Sequence, residues 1–292
     1  MTKSSKGMWL GASALFLAVG TAEAQDDFGG QANTQPSAAD IAMGGGAYPA
    51  EEVARPINLQ PGMLEVGGDL NVFKAPDLGD LVGFTLRADY GATDKLQVGL
   101  RLPLALATPG NLESLGGVWV NGLYALHEMV SLRLDVGYGH AGLPAGLVTS
   151  VAPTFFDLEG MTLGFRLGAA FKHRFNEQLA VTADPGLVFQ LDGAFGDSGA
   201  ETFQALWVPL ALWYQATSNV AVAVNTGILS AHEFKFSGDD GAQLPLFLTG
   251  QFTTLEGHLD VGANLGLANL TTGEGQDVGD TLFLGVFGTY RL

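Results

Sequence analysis

Hydrophobic and polar residues alternate one for one along most of this chain. In Lys95 to Leu106, the residues Leu96, Val98, Leu100, Leu102, Leu104 and Leu106 hold every even position. Lys95, Gln97, Gly99, Arg101, Pro103 and Ala105 hold the odd ones. Successive side chains of a β-strand point to opposite faces, so this segment has one aliphatic face and one polar or small face. The same period recurs from Gly62 onward and predicts twelve strands. They run over roughly 62–73, 81–91, 95–106, 115–126, 129–140, 160–172, 178–190, 202–215, 219–229, 244–253, 257–268 and 281–291.

The connections alternate in length. Short ones fall at Ala92-Thr93-Asp94, His127-Glu128, Phe175-Asn176-Glu177, Thr217-Ser218 and Thr254-Leu255-Glu256. Longer ones, near 74–80, 107–114, 141–159, 191–201, 230–243 and 269–280, hold much of the Gly, Pro and acid. Short turns on one side and long loops on the other predict an all-β fold: a transmembrane antiparallel up-and-down barrel with short periplasmic turns and longer extracellular loops. Tyr90, Tyr124, Phe175, Tyr214, Phe252 and Tyr290 each stand near a strand end just before a short turn or the C-terminus. Rings at that depth form a girdle at the membrane–water interface. Leu284, Val286, Gly288, Tyr290 and Leu292 keep the period to the last residue and resemble the terminal-strand signal read by barrel-assembly machinery, with Leu in place of the usual aromatic.

With the aliphatic face toward lipid, parity assigns the other face to the lumen. It carries Arg87, Asp89, Arg101, Arg133, Asp135, Arg166, Asp184 and Asp260, with Glu65, Asp69, Lys95, Lys172, His258 and Arg291 in the same phase. Charges at membrane depth must meet water or each other, because lipid imposes several kcal/mol on them near the midplane. Mixed rows of this kind can line an aqueous passage or cross-pair and shut a narrow barrel. Inward glycines (Gly67, Gly99, Gly137, Gly168, Gly262, Gly266 and Gly285 among them) are expected to leave room for a passage. Trp119, Leu123, Trp207, Trp213, Phe283 and Phe287 put apolar surface inside. It is suited either to an apolar or aromatic solute or to packing against the leader or a loop. Pro103 and Pro209 would remove ladder hydrogen bonds and mark bulges or strand ends.

The N-terminal part has another character. Lys3 and Lys6 precede an apolar stretch, Met8 to Val19, and Ala22-Glu23-Ala24 supplies small residues for cleavage before Gln25. Residues 1–24 are thus expected to be a signal peptide, the run falling well short of the ~20 residues that span a bilayer. Residues 25–61, broken by Gly44-Gly45-Gly46 and Pro36, Pro49, Pro56 and Pro61, are expected to be a flexible periplasmic leader or a plug folded into the lumen. Residues 62–292 are the barrel.

Composition narrows the chemistry. There is no cysteine, which removes disulfides, thiolate metal sites and a lipoprotein anchor. The formal charge of −17 excludes a basic nucleic-acid footprint. The five histidines form no close metal pair, so neither metal nor cofactor is expected. No enzyme is expected either. The remaining catalytic arrangement, a lipid-modifying barrel like outer-membrane phospholipase A, would use His140 with Ser150 or Thr149. Asp239-Asp240 and Asp277-Asp280 lack a calcium-ligand ladder and read as solvated loop carboxylates.

The run Arg55-Pro56-Ile57-Asn58-Leu59, followed by Pro61-Gly62-Met63-Leu64-Glu65-Val66, resembles the barrel entry of the MetA-pathway phenol-degradation family of outer-membrane transporters. Tyr90-Gly91-Ala92-Thr93-Asp94-Lys95-Leu96 and the following Val98-Gly99-Leu100 and Leu102-Pro103-Leu104 are similar to that family's hairpin after the second strand. The resemblance covers residues 55 to 106, carries no site residue, and implies uptake of small, often aromatic compounds. The expected protein is therefore a porin-like passive channel of the Gram-negative outer membrane. Its partners would be outer-membrane lipid and lipopolysaccharide, the assembly machinery and a small solute. The alternative is a closed structural or surface-interaction barrel with a charge-paired lumen.

Overall fold

The structure, a computed structural model, describes residues 48–75, 79–107, 117–140, 161–191, 202–230, 244–267, 270 and 282–292. Residues 1–24, expected to be a signal peptide, residues 25–47, most of the longer connections, Thr149, Ser150 and the two acidic loop pairs lie outside the described residues. One 3-10 turn, Glu52–Ala54, precedes the strands. The strands are β1 (Leu64–Ala75), β2 (Gly79–Gly91), β3 (Leu96–Ala107), β4 (Val118–His127), β5 (Val130–His140), β6 (Met161–Arg174), β7 (Leu179–Ala183), β8 (Gly186–Leu191), β9 (Thr202–Thr217), β10 (Val220–Ser230), β11 (Leu246–Thr254), β12 (Leu259–Leu267) and β13 (Leu282–Arg291).

Neighbouring strands of the sheet pair antiparallel, and β13 pairs with β1 from Glu65↔Arg291 to Phe73↔Phe283. The sheet is therefore a closed barrel without a free edge, the arrangement in which every backbone group of a lipid-immersed sheet finds a partner. The last residue takes part: the N–H groups of Leu64 and Leu292 each donate to the other's carbonyl. Because β7 and β8 both pair with β6 and β9, the thirteen strands make twelve staves.

Alternation predicts an unbroken strand over 178–190, and the structure interrupts it at Asp184-Pro185. Pro185 has no N–H to give the ladder, and on the adjoining stave the facing pair is Val208-Pro209, with the same defect. Asp184 N–H still reaches the Pro209 carbonyl at 3.2 Å, and Ala169 N–H the Pro185 carbonyl at 3.0 Å. Arg166, from inside the barrel, donates to the Asp184 backbone carbonyl at 2.6 Å. Pro103 sits just past Arg101↔Trp119, the last β3–β4 pair, but neither it nor Pro209 ends its strand or marks a bulge: β3 and β9 run on through them, in register on the other side at Thr85↔Pro103 and Gly227↔Pro209.

The aliphatic face is outside. Leu86, Leu100, Leu134, Leu167, Leu248 and Leu265 are all exposed on it. Tyr90, Tyr124, Phe175, Tyr214, Phe252 and Tyr290 are exposed on the same surface, at the short-turn end. In a soluble sheet these would form the core; here they form a lipid-facing belt with an aromatic rim.

Candidate functional site

The inward phase holds the charges. Arg87, Asp89, Arg101, Arg133, Asp135, Arg166, Asp184 and Asp260 are all buried, each at most 6% exposed. Register brings them into pairs. Arg101 Nη2 lies 2.7 Å from Asp89 Oδ2 on the neighbouring strand, and Asn121 donates to the other oxygen of that carboxylate at 3.2 Å. Asp184 receives Arg133 at 3.0 Å and Arg166 at 3.2 Å, and both cations also flank Asp135 at 3.7 and 3.6 Å. Arg87 lies 3.8 Å from Asp69 and also donates to the Thr289 hydroxyl. Arg291 closes the ring, 2.8 Å from Glu65 and 2.6 Å from Asp260.

Among the described wall residues the buried acids are Glu65, Asp69, Asp89, Asp135, Asp184 and Asp260, and the buried bases Arg87, Arg101, Arg133, Arg166, Lys172 and Arg291. Six against six leaves no net charge. Lys95 and His258, expected on this face, are exposed at short turns instead. Each stands at the strand end, where the alternation no longer governs direction.

Trp119, Trp207, Phe283 and Phe287 are buried inside, as parity requires. The inward glycines do not leave a passage around them. A Cβ on Gly137 would strike the Trp119 indole, one on Gly262 the Phe287 ring, one on Gly99 the Asp89 carboxylate, and one on Gly266 the Phe247 side chain. Gly99, Gly137 and Gly262 are thus seats for side chains from adjoining strands, while Gly168 and Gly266 meet the backbone of Pro185 and Leu246 first. Phe247, which parity also puts inside, meets Phe283 edge-on at 5.6 Å between ring centres.

Residues 48 to 61 lie inside the lumen at the short-turn end. Tyr48, Glu52, Val53, Arg55, Ile57 and Leu59 are buried, and the 3-10 turn Glu52–Ala54 packs on β9. Arg55 is fully enclosed. Its Nη1 lies 2.6 Å from Glu52 and 2.7 Å from Asp260, its Nη2 reaches Asp260, Thr253 and the Ala50 carbonyl, and its Nε donates to the Pro49 carbonyl. Burial works against this guanidinium, but Glu52 and Asp260 outweigh it and hold its pKa above the ordinary arginine value. Lys172 Nζ caps the backbone carbonyls of Glu52 and Arg55 at 2.7 and 3.3 Å. Further along, Asn58 donates to the Lys95 and Leu123 carbonyls and accepts from Ser131, while Leu59 N–H donates to Gln97 at 2.8 Å. The Tyr48 ring lies beside two cations, 5.0 Å from the Arg291 guanidinium and 5.6 Å from that of Arg55.

Two glycines make the entry possible. A Cβ on Gly91 would collide with the Gln60 carbonyl where the chain leaves the lumen to start β1. Gly257, at φ +95, carries a turn against the Tyr48 carbonyl.

All eight charged and four aromatic lumen residues assigned by parity are thus inside, and the structure joins the charges into pairs that alternation does not reveal. Parity puts Gln251 inside, with Ser131, Gln215 and Thr253 in the inward phase of their strands; what it leaves open is the seated segment that meets them, with Glu52, Arg55 and Asn58. One sequence signal does point to it. Arg55 is the sole Lys or Arg between Lys6 and Lys74, an isolated cation in an acidic stretch. Among the described residues no cluster of three or more potential metal-ligating side chains occurs.

The architecture is that of an outer-membrane β-barrel. No family model and no curated protein matches this chain. Among solved structures it is similar to the COG4313 outer membrane channel from Pseudomonas putida F1, at 16% identity and TM-score 0.54, over 80% of this chain and 97% of that one. It is also similar to the translocator domain of the autotransporter NalP from Neisseria meningitidis, at 13% identity and TM-score 0.50, over 80% of this chain and 90% of that one. At these identities the likeness is one of fold.

Proposed function

We propose that this protein is a passive outer-membrane channel for small solutes, shut in the described state by residues 48–61. The observation that carries this reading is the occupant of the lumen. At its short-turn end the barrel is closed by a separate backbone segment, tethered to the wall chiefly through hydrogen bonds and ion pairs. A barrel bore that accommodates a polypeptide backbone accommodates a small molecule once that backbone leaves. The fold shared with the Pseudomonas putida channel supports the same reading. Export through the signal peptide, assembly by the barrel machinery and a lipopolysaccharide-facing outer surface belong with it. In the open state Arg87, Asp89, Arg101, Arg133, Asp135, Arg166, Asp184 and Asp260 line the passage. Trp119, Trp207, Phe283 and Phe287 give an apolar or aromatic solute its contacts. A lining of six acids and six bases favours weak discrimination between anions and cations.

A second reading, a closed structural barrel, is favoured by one observation: the lumen charges of the wall are mutually paired and buried. Planar-bilayer conductance separates the two. The channel reading expects small, infrequent openings from the full chain, and sustained current with a reversal potential near zero once residues 26–59 are deleted. A folded, inserted deletion variant that passes no current and no solute leaves the structural barrel as the answer.

A further inference from the structure

The segment 48–61 is held by polar anchors, but it also places two apolar side chains in apolar seats. Ile57 lies with Leu123 and Ala170. Val53 lies with Ala180 of β7, Ala211 and Trp213 of β9, and Ala221 and Ala223 of β10, all buried. Four alanines at inward positions leave a recess, and the Val53 isopropyl group occupies it. The Val53 N–H donates to Gln215 Oε1 at 3.3 Å beside this recess. One polar group of this cluster is left over. The Trp213 indole is wholly buried, and its Nε1 has no hydrogen-bond acceptor. An indole N–H buried without an acceptor is a standing loss, because water would have satisfied it in the unfolded chain. Valine supplies apolar contact to the recess and nothing for that N–H to donate to.

We propose that the Trp213–alanine recess is a binding subsite for a small apolar solute carrying one hydrogen-bond acceptor, that Val53 is its resident occupant, and that solute binding releases the segment by competition. A compact ring ketone satisfies both requirements: its hydrocarbon body replaces the isopropyl group among the alanines, and its oxygen accepts from Trp213 Nε1. The solute binds the recess only with Val53 out, so it multiplies the small released fraction by one plus the ratio of its concentration to its dissociation constant. Val53 adjoins Glu52 in the 3-10 turn, so its departure pulls directly on the Glu52–Arg55–Asp260 anchor. This deepens the channel reading and rests on it for the step from release to flux; binding and release are read on their own.

The chain has no cysteine, so a single thiol reports the segment cleanly. Full-length protein carrying Ile57→Cys, with Val53 intact, is reconstituted into vesicles. Its labelling rate with a membrane-impermeant maleimide is measured with cyclohexanone or with methylcyclohexane, which has a similar body and no acceptor. At ten times its dissociation constant, cyclohexanone should speed labelling about tenfold. Methylcyclohexane should do markedly less, and Trp213→Phe should erase the difference between the two. Val53→Gly, which removes the resident side chain and leaves the wall intact, should tighten cyclohexanone binding about tenfold. A labelling rate indifferent to cyclohexanone overturns the proposal, and so does an equal response to both probes with Trp213 in place. Bilayer current recorded on the same preparations keeps the two readings apart. Cyclohexanone-dependent labelling without current sinks the channel and keeps the subsite, whereas current with indifferent labelling does the reverse.

Discussion

Arg55→Met isolates what holds the inserted segment. Methionine keeps much of the arginine stem's volume and removes the guanidinium, with its contacts to Glu52, Asp260, Thr253 and the carbonyls of Pro49 and Ala50. The carboxylates left behind fare differently. Asp260 keeps Arg291 at 2.6 Å and the Thr253 hydroxyl at 2.8 Å. Glu52 keeps the neutral Gln251 amide, at 2.9 Å, inside a site from which water is shut out. Removing one member of a buried pair costs about 3–5 kcal/mol, mostly as the stranded charge. With the segment leaving a folded barrel, as proposed, that cost falls on the seated state alone. At 1.4 kcal/mol per factor of ten, the released fraction should rise by about 100- to 4000-fold. Hydrogen exchange of the 50–59 amides measures this directly, with the β-ladder amides of the same sample as the internal reference. Adding Glu52→Gln, which removes the stranded charge, should recover a good part of the protection. Exchange at 50–59 within twofold of the native protein would refute the assignment of Arg55 as the anchor.

The wall gives further expectations. Leu134→Arg puts a cation on the lipid face and should cost about 2–4 kcal/mol of barrel stability, read by denaturant unfolding in vesicles, whereas Glu128→Ala in a short turn should show no such loss. Gly91→Ala, whose Cβ would run into the Gln60 carbonyl, should raise exchange at 50–59 while leaving the barrel folded. Gly122→Ala, with its nearest neighbour 3.8 Å away, should do neither; equal effects would sink the close-approach argument. Arg166→Gln strips the Asp184 carbonyl of its charged donor where Pro185 and Pro209 already weaken the ladder. It should lower the thermal midpoint of the barrel more than Gln251→Ala, and fastest exchange should appear in Ala180–Ala183 and Leu187–Phe189.

Local chemistry explains why so much of the barrel is legible in the order of its residues. A strand in a membrane wall has one neighbour that never changes, lipid, so every second residue is aliphatic and the count, phase and inner face follow. Tyr90, Tyr124 and Tyr290 mark the rim for the same reason. The inward glycines are the instructive failure. Counted along one strand, Gly137 and Gly262 look like empty lumen; across the ladder they are the floor beneath Trp119 and Phe287. Pro185 is similar: its consequence depends on Pro209, 24 residues on, standing opposite the adjoining Asp184 on the next stave.

Alternation over two residues is therefore what the sequence by itself determines here: twelve staves, their faces, and the charged content of the interior. Closure decides the rest. Arg133 meets Asp184 from 51 residues away, and Arg291 meets Glu65 because β13 pairs with β1. Those encounters depend on register and stave order, which a period of two does not encode. The segment 48–61 has no period at all, so its place is fixed only when the fold brings Asp260, Lys172, Gln215 and Gln97 around it from four different strands.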